Sequence, residues 1–202
     1  MILGTLFIIS APSGAGKTSL VAELLDRLDN IQVSISHTTR SSRSGETDGL
    51  DYHFVSHQQF KTMVKQQQFV EHAKVHSNYY GTSENWVQNT LNKGVDVILE
   101  IDWQGAEQVR KKFPSSKSIF ILPPSKQALL ERLKGRGQDT DTVIQQRIAA
   151  AKEEMSHYNE ADYLVINDQF ELACKQLQYI VQATRCEINS QGHEKLLIDL
   201  LS

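Results

Sequence analysis

The stretch "SAPSGAGKTSL" (residues 10–20) places Lys17 and Thr18 directly after Gly14-Ala15-Gly16. Those residue types in that order suit phosphate. Consecutive backbone N–H groups from Gly14 to Thr18 converge on phosphate oxygens when a helix starts there, and the helix dipole favours the negative charge. Lys17 then reaches the β- and γ-phosphates of a nucleoside triphosphate, and the Thr18 hydroxyl ligates its Mg²⁺. The pattern G-x-x-x-x-G-K-[ST] asks for glycine where this chain has Ala11. The departure matters only if position 11 needs a positive φ, which alanine adopts poorly. Such a loop indicates nucleotide binding and leaves GTPase, ATPase and kinase open.

Carboxylates and arginines elsewhere narrow the choice. "ILEIDWQG" (98–105) ends an apolar run on Glu100 and Asp102, as a Walker-B-like metal site does, and its Asp102-to-Gly105 spacing also matches the D-x-x-G of GTPases. No N-K-x-D guanine-reading motif follows, since "NKGV" (92–95) precedes the run and lacks the aspartate, and the GTPase reading fails there. "SHTTRSSRSGE" carries Arg40 and Arg43. "ERLKGRG" carries Arg132 and Arg136, four apart on one helical face, and Arg147 follows. One helical arginine is usually a solvated charge. Five in two clusters beside glycine-rich segments fit phosphoryl transfer between two phosphorylated substrates, which needs cations rather than a covalent nucleophile.

Those groups need a scaffold. "TLFIIS" (5–10), "DVILEI" (96–101), "SIFIL" (118–122) and "DYLVIN" (162–167) are apolar throughout, as strands covered on both faces are. Helical patterns separate them: Leu20, Val21, Leu24, Leu25 and Leu28 share a face after the loop, and Ser125 can cap a helix carrying Leu129, Leu130 and Leu133. The alternation predicts an α/β fold with a parallel sheet. Residues 33 to about 90 instead alternate polar and apolar around turn signals, which predicts a small mixed-sheet insertion. The stretch 135–157 opens on glycines and becomes a polar helix, the pattern of a mobile lid. The last thirty residues read as an amphipathic helix that breaks near Gly192.

The whole chain sets outer bounds. Its 202 residues, 40% hydrophobic and 22% charged, suit one well-buried domain, and a net charge of −3 argues against a nucleic-acid or anionic-membrane binder. No apolar run is long enough to span a bilayer, and the apolar start lacks the basic residues of a signal peptide. Cys174 and Cys186, about 18 Å apart if on one helix, cannot pair and read as reduced thiols of the cytoplasm. The His53/His57 and His72/His76 spacings fall in strand-like or turn-like surroundings, so a metal there is not expected. Trp86 and Trp103 read as packing residues, and "KKF" (111–113) as a solvated helix end.

With these residues in view, the chain resembles the guanylate kinases from about residue 4 to 184. The resemblance runs in order through "SAPSGAGKTSL", "VSISHTTRSSRSGETDGLDYHFV", "FVEHAKVHSNYYGTS", "VILEIDWQGAEQV", "SIFILPPS", "RLKGRGQDT", "QRIAAAKEEMSHY" and "DYLVIND". It implies a P-loop three-layer α/β fold. The parallel core is expected over residues 1–32, 90–134 and 158–202, a GMP-binding insertion over 33–89, and a helical lid over 135–157. It implies reversible transfer of the ATP γ-phosphate to GMP, and to dGMP, giving ADP and GDP in purine nucleotide metabolism. Mg²⁺ is the expected cofactor, ATP and GMP the substrates, and no nucleic acid or membrane a partner.

By motif, the resemblance assigns Ala11, Pro12, Ser13, Gly14, Ala15, Gly16, Lys17 and Thr18 to ATP, with Arg132, Asn167 and Asp168 near the adenine. Arg40, Arg43, Tyr52 and Tyr80 fall to the GMP phosphate, and Ser36, Glu71, Thr82 and Asp102 to the guanine. Lys17, Arg40, Arg136 and Arg147 are the expected catalytic set. Thr18, and Glu100 through water, would serve the metal. Guanine presents N1–H and N2–H₂ as donors, which an acceptor-only carboxylate such as Glu71 fits. Ser42 stands where the family often has proline, and Glu100 where aspartate is frequent. A non-catalytic module of the same fold is the alternative. It could dispense with Lys17, Thr18, Arg40, Arg43, Arg136 and Arg147, all present here. A kinase for another nucleoside monophosphate is disfavoured by Glu71 and Asp102.

Overall fold

The computed structural model describes residues 3–75, 77–135, 141–188 and 194–202. The apolar runs form a parallel sheet: β1 (Leu6–Ser10), β2 (Ile31–Val33), β7 (Asp96–Glu100), β8 (Lys117–Leu122) and β9 (Tyr163–Ile166), in the order β2-β7-β1-β8-β9. Successive side chains of a strand point to opposite faces, and β1 fills both. Phe7 and Ile9 pack with Leu20, Val21 and Leu24 of α1 (Lys17–Arg27) and with Leu177 and Val181 of α7 (Phe170–Arg185). Leu6 and Ile8 face Val87 of α3 (Glu84–Asn92) and Ala106 and Val109 of α4 (Trp103–Lys112). Each such side chain contributes about 1.5–3 kcal/mol on burial, which fixes the central strand and the loop at its carboxyl end.

A second, mixed sheet occupies residues 37–83: β3 (His37–Thr38), β4 (His53–Phe54), β5 (Phe69–Val75) and β6 (Asn78–Ser83), ordered β4-β3-β6-β5. β3 runs parallel to β4 and antiparallel to β6. Val33, at the edge of the expected insertion, pairs with Ile98 in the first sheet. Helix α2 (His57–Lys65) starts at a capping box between Ser56 and Gln59, and its Phe60 ring stacks on Phe69 at 4.7 Å and Tyr79 at 5.5 Å. On the outer edge of β5, the Gln108 amide of α4 accepts from the His72 N–H at 3.2 Å and donates to its carbonyl at 2.9 Å. One side chain thus substitutes for a neighbouring strand and ties the two sheets together.

Helix α5 (Lys126–Lys134) begins where Ser125 accepts from the Ala128 N–H at 3.0 Å. Its Leu129 and Leu133 bury against Ala151 of α6 (Asp141–Ser156), with Ile148 and Met155 alongside. Arg136 lies outside the described residues, as do His76 and Gly192. Helix α7 ends earlier than the sequence reading placed the break. Its buried stripe of Leu177, Val181 and Thr184 runs out, Cys186 caps it, and Ile188 is 88% exposed; α8 (Glu194–Leu201) follows separately. Cys174 is buried and Cys186 exposed, both free thiols. Lys112 is not merely solvated, because its ammonium pairs with Glu84 and reaches the Phe69 carbonyl. Among the described residues no helix is long and apolar enough to cross a membrane.

Candidate active site

The loop lies between β1 and α1, at the carboxyl edge of the sheet where crossovers leave to both sides of β1. Gly14 and Gly16 adopt φ of +93° and +92°, a conformation that strains any side chain. Ala11 is not among the positive-φ residues, so alanine there costs nothing. The loop is held from behind. Asn167 Nδ2, in a buried side chain, donates to the Ala15 carbonyl at 2.7 Å. Arg132 reaches the same carbonyl at 3.4 Å and the Asn167 carbonyl at 2.8 Å. Two residues assigned to the adenine side therefore also brace the loop, and exposed Asp168 adjoins them.

The Thr18 hydroxyl donates to Glu100 Oε2 at 3.2 Å, and Lys17 Nζ stands 3.9 Å from the same oxygen. Burial holds the Lys17 ammonium below its ordinary range against the opposing pull of Glu100, Asp102, Glu154 and Glu71. A hydroxyl beside a carboxylate is an all-oxygen donor set that suits a hard cation, and Mg²⁺ fits these residues. From α6, Glu154 Oε2 accepts from the Ser13 N–H at 3.2 Å. The side chain of Arg147, seven residues earlier on α6, is partly buried.

A cleft of about 360 Å³ joins this loop to the second sheet, with Tyr52, Asp102, Trp103 and Glu154 among its lining residues. On the far side Arg40 makes a two-pronged pair with Glu46, at 2.9 and 2.8 Å, and lies 5.2 Å from the centre of the Tyr52 ring. Tyr80 packs edge-on to Tyr52 at 6.1 Å. Glu46 also accepts from the Arg43 N–H at 2.7 Å. The Arg40 guanidinium holds the Glu46 carboxyl down to about 2, well below the usual carboxylate range. Burial raises the Tyr52 phenol above its usual value, so the hydroxyl stays a donor at neutral pH.

Glu71 is 4% exposed. Its Oε1 accepts from the Thr82 hydroxyl at 2.6 Å, across the β5–β6 pair. Burial first, then the charge of Asp102, pushes its carboxyl up to about 7 against the Thr82 hydrogen bond. Asp102 caps α4, accepting from the Gly105 N–H at 2.9 Å. Ser36 precedes β3, and its carbonyl accepts from the His53 N–H at 2.9 Å. Glu71, joined to Thr82, thus lies within electrostatic reach of Asp102, which lines the cleft, although the three lie on β5, on β6 and before α4. Sequence reasoning missed Glu46, Glu154, Gln108 and Gly105 as parts of this site. Glu46, three residues beyond Arg43, and Gly105, three beyond Asp102, had local signals; Glu154 and Gln108 had none. Trp103, read as packing, does pack: its ring stacks on His157 at 3.9 Å, beside the cleft. Among the described residues no His/Cys/Asp/Glu group forms a metal cluster.

Comparison with known proteins places this geometry among others. The family model described as guanylate kinase matches residues 4–184. A guanylate kinase of Saccharophagus degradans is 59% identical over 201 residues, covering 98% of each chain. One from Alcanivorax borkumensis is 62% identical over 90% of this chain and 88% of its own. The crystal structure of guanylate kinase from Anaplasma phagocytophilum superposes with a TM-score of 0.81 at 30% identity, covering 98% of this chain and 94% of that one.

Proposed function

Because this chain belongs to the guanylate kinase family, whose members move phosphate from ATP to GMP, we propose that the two sides of its cleft divide that reaction between them. The single observation that carries the division is the shared cleft itself. It brings the loop within one cavity of Tyr52 and Asp102, residues from outside the nucleotide-binding βα unit. The loop amides from Ser13 to Thr18 and the Lys17 ammonium hold the ATP phosphates. Thr18 and, through water, Glu100 would hold Mg²⁺, which would offset the charge of the ATP phosphates. Arg40 and Arg43 grip the GMP phosphate as forks, and Tyr52 and Tyr80 add neutral donors. Glu71 accepts from the guanine N1–H and N2–H₂ edge, with Thr82, Asp102 and Ser36 around it.

An anionic oxygen of the GMP phosphate attacks the ATP γ-phosphorus in line. The new O–P bond forms as the bond to the β-phosphate oxygen breaks, and ADP leaves with that electron pair. The attacking oxygen is already anionic, so no general base is required. Lys17 and the arginines Arg40, Arg136 and Arg147 stabilise the charge spread over the transferring group. Closure of α6 over the loop excludes water, which would otherwise hydrolyse ATP. Two free thiols support a cytoplasmic setting. The test is a coupled assay of ATP·Mg²⁺ against GMP, dGMP, AMP, UMP and CMP. Turnover with GMP and dGMP alone is expected, and equal turnover with AMP would overturn the guanine-reading assignment.

A further inference from the structure

The Asp102-to-Gly105 spacing, which no GTPase chemistry absorbs, has a structural meaning of its own. Gly105 lies in the first turn of α4, buried, directly beneath Glu71. A methyl group at position 105 would stand 2.7 Å from Glu71 Oε2, 3.3 Å from its Cδ and 3.3 Å from the Ile101 Cβ. The first of these is closer than real Cβ atoms approach anything. The Gly105 N–H meanwhile donates to Asp102 Oδ1 at 2.9 Å. We infer that Gly105 is a positioning residue for guanine recognition: its N–H aims the Asp102 carboxylate, and its missing side chain admits the Glu71 carboxylate onto the first turn of α4.

Specificity and stability part at this position. The atom that must yield to a methyl group is the end of a long side chain, not backbone. Gly105 has no positive φ to strain, and alanine favours a helix over glycine. An added methyl therefore leaves α4 formed and moves Glu71. The Thr82 hydroxyl, fixed in β6, holds Oε1, so displacement of Oε2 turns the carboxylate about that anchor and away from the plane in which it accepts a purine edge. The loop, on the other side of the cleft, is untouched. The acceptor suffers and ATP does not.

The inference rests on the reading of Glu71 as the guanine acceptor, and the test keeps the two apart. Glu71→Gln, Gly105→Ala and the double variant are compared with the unaltered protein for GMP, IMP (which lacks the 2-amino donor) and ATP. Gly105→Ala is expected to raise KM for GMP about ten- to hundredfold, the loss of one hydrogen bond to a charged group. Its preference for GMP over IMP should collapse, while ATP affinity stays within twofold. In the Glu71→Gln background the same change should add less than threefold, because the coupled partner is already lost. If Glu71→Gln leaves the GMP:IMP preference intact, the reading of Glu71 fails and this inference with it. If Glu71→Gln abolishes the preference but Gly105→Ala keeps it, the inference alone fails. A Gly105→Ala protein that loses ATP affinity together with GMP, or that does not fold, also overturns it, since the side-chain end was then not what yielded.

Discussion

A carboxyl held at about 7 inside a folded protein carries a stability cost that a titration exposes, and Glu71 is that group. Its folded value lies above its ordinary value of 4.5, so the folded state binds more protons than the unfolded state between those two pH values. Stability must therefore fall as pH rises through this window. The contribution is absent below about pH 4.5, grows from there to 7, and is complete above 7. A shift from 4.5 to about 7 corresponds to about 3 kcal/mol. Glu71→Gln keeps the shape and an acceptor for Thr82 and removes the titration. Urea unfolding of both proteins without nucleotide, at pH 4.5, 6, 7 and 8, should give a difference that widens in favour of the variant by about 3 kcal/mol across the series. For a chain of this size that is roughly 6–12 °C in Tm. Any constant offset from the amide cancels in the pH dependence. GMP works in the opposite sense, since guanine donors favour the ionised carboxylate. Its affinity should weaken below pH 7 in the unaltered protein more steeply than in the variant. Parallel stability curves for the two proteins would refute the buried, raised carboxyl.

Three further outcomes are expected from other parts of the cleft. Lys17→Ala should cut turnover by orders of magnitude with an unchanged circular-dichroism melt, and unchanged turnover would remove the lysine from the phosphate site. Arg147→Ala should lower kcat more than it raises KM for GMP, which steady-state kinetics with both substrates separates from a simple affinity loss. Glu154→Gln removes a negative charge from the Ser13 N–H and should tighten ATP roughly fivefold, the equivalent of about 1 kcal/mol. Titration calorimetry with ATP reads this directly, and weaker ATP binding would contradict it.

What the sequence disclosed follows from how local each signal is. β1, β7 and β8 were legible because a strand buried on both faces must be apolar at every position. β9 is apolar too, but it is an edge strand whose Leu164 and Ile166 are 47% and 43% exposed, so only Val165 of its run is buried. The loop was legible because its donors are consecutive. Ser125 announced its helix for the same reason: a cap and its N–H lie three residues apart. The contacts that complete the site span long separations and leave no periodic trace. Glu154 meets Ser13 across 141 residues, and Gln108 meets His72 across 36. Gly105 could be seen as half of a spacing, but the carboxylate above it, on β5, could not. The sequence places the end of α7 too late because Ile188 continues the helical spacing of Leu177, Val181 and Thr184, whereas burial shows that the stripe stops at Thr184 and leaves Ile188 88% exposed.

The carboxylates around the cleft do different work according to the element that carries them. Glu46 sits on the same turn as Arg40 and Arg43, joined to the guanidinium of one and the N–H of the other, so it travels with them. It orients the Arg40 fork and offsets its charge, while its hold on the Arg43 N–H fixes the turn. Glu100 is equally fixed, at the end of β7 in the central sheet, opposite Thr18. Glu154 is the exception, because it reaches the loop from α6, outside the βα unit that carries the loop. Its acceptor oxygen uses the Ser13 N–H, which the proposed function gives to a nucleotide phosphate, and an N–H has one hydrogen to give. Phosphate on Ser13 and Glu154 on Ser13 are therefore alternatives. Arg147 lies seven residues earlier, nearly two helical turns, and so on the same stripe of α6 about 10 Å away. One helix thus carries an anion that meets the loop and, nearly two turns earlier, a cation. On the proposed roles, Glu154→Gln gains in ATP binding and Arg147→Ala loses in turnover, so a loss of ATP affinity at 154 or an unchanged kcat at 147 would break that division.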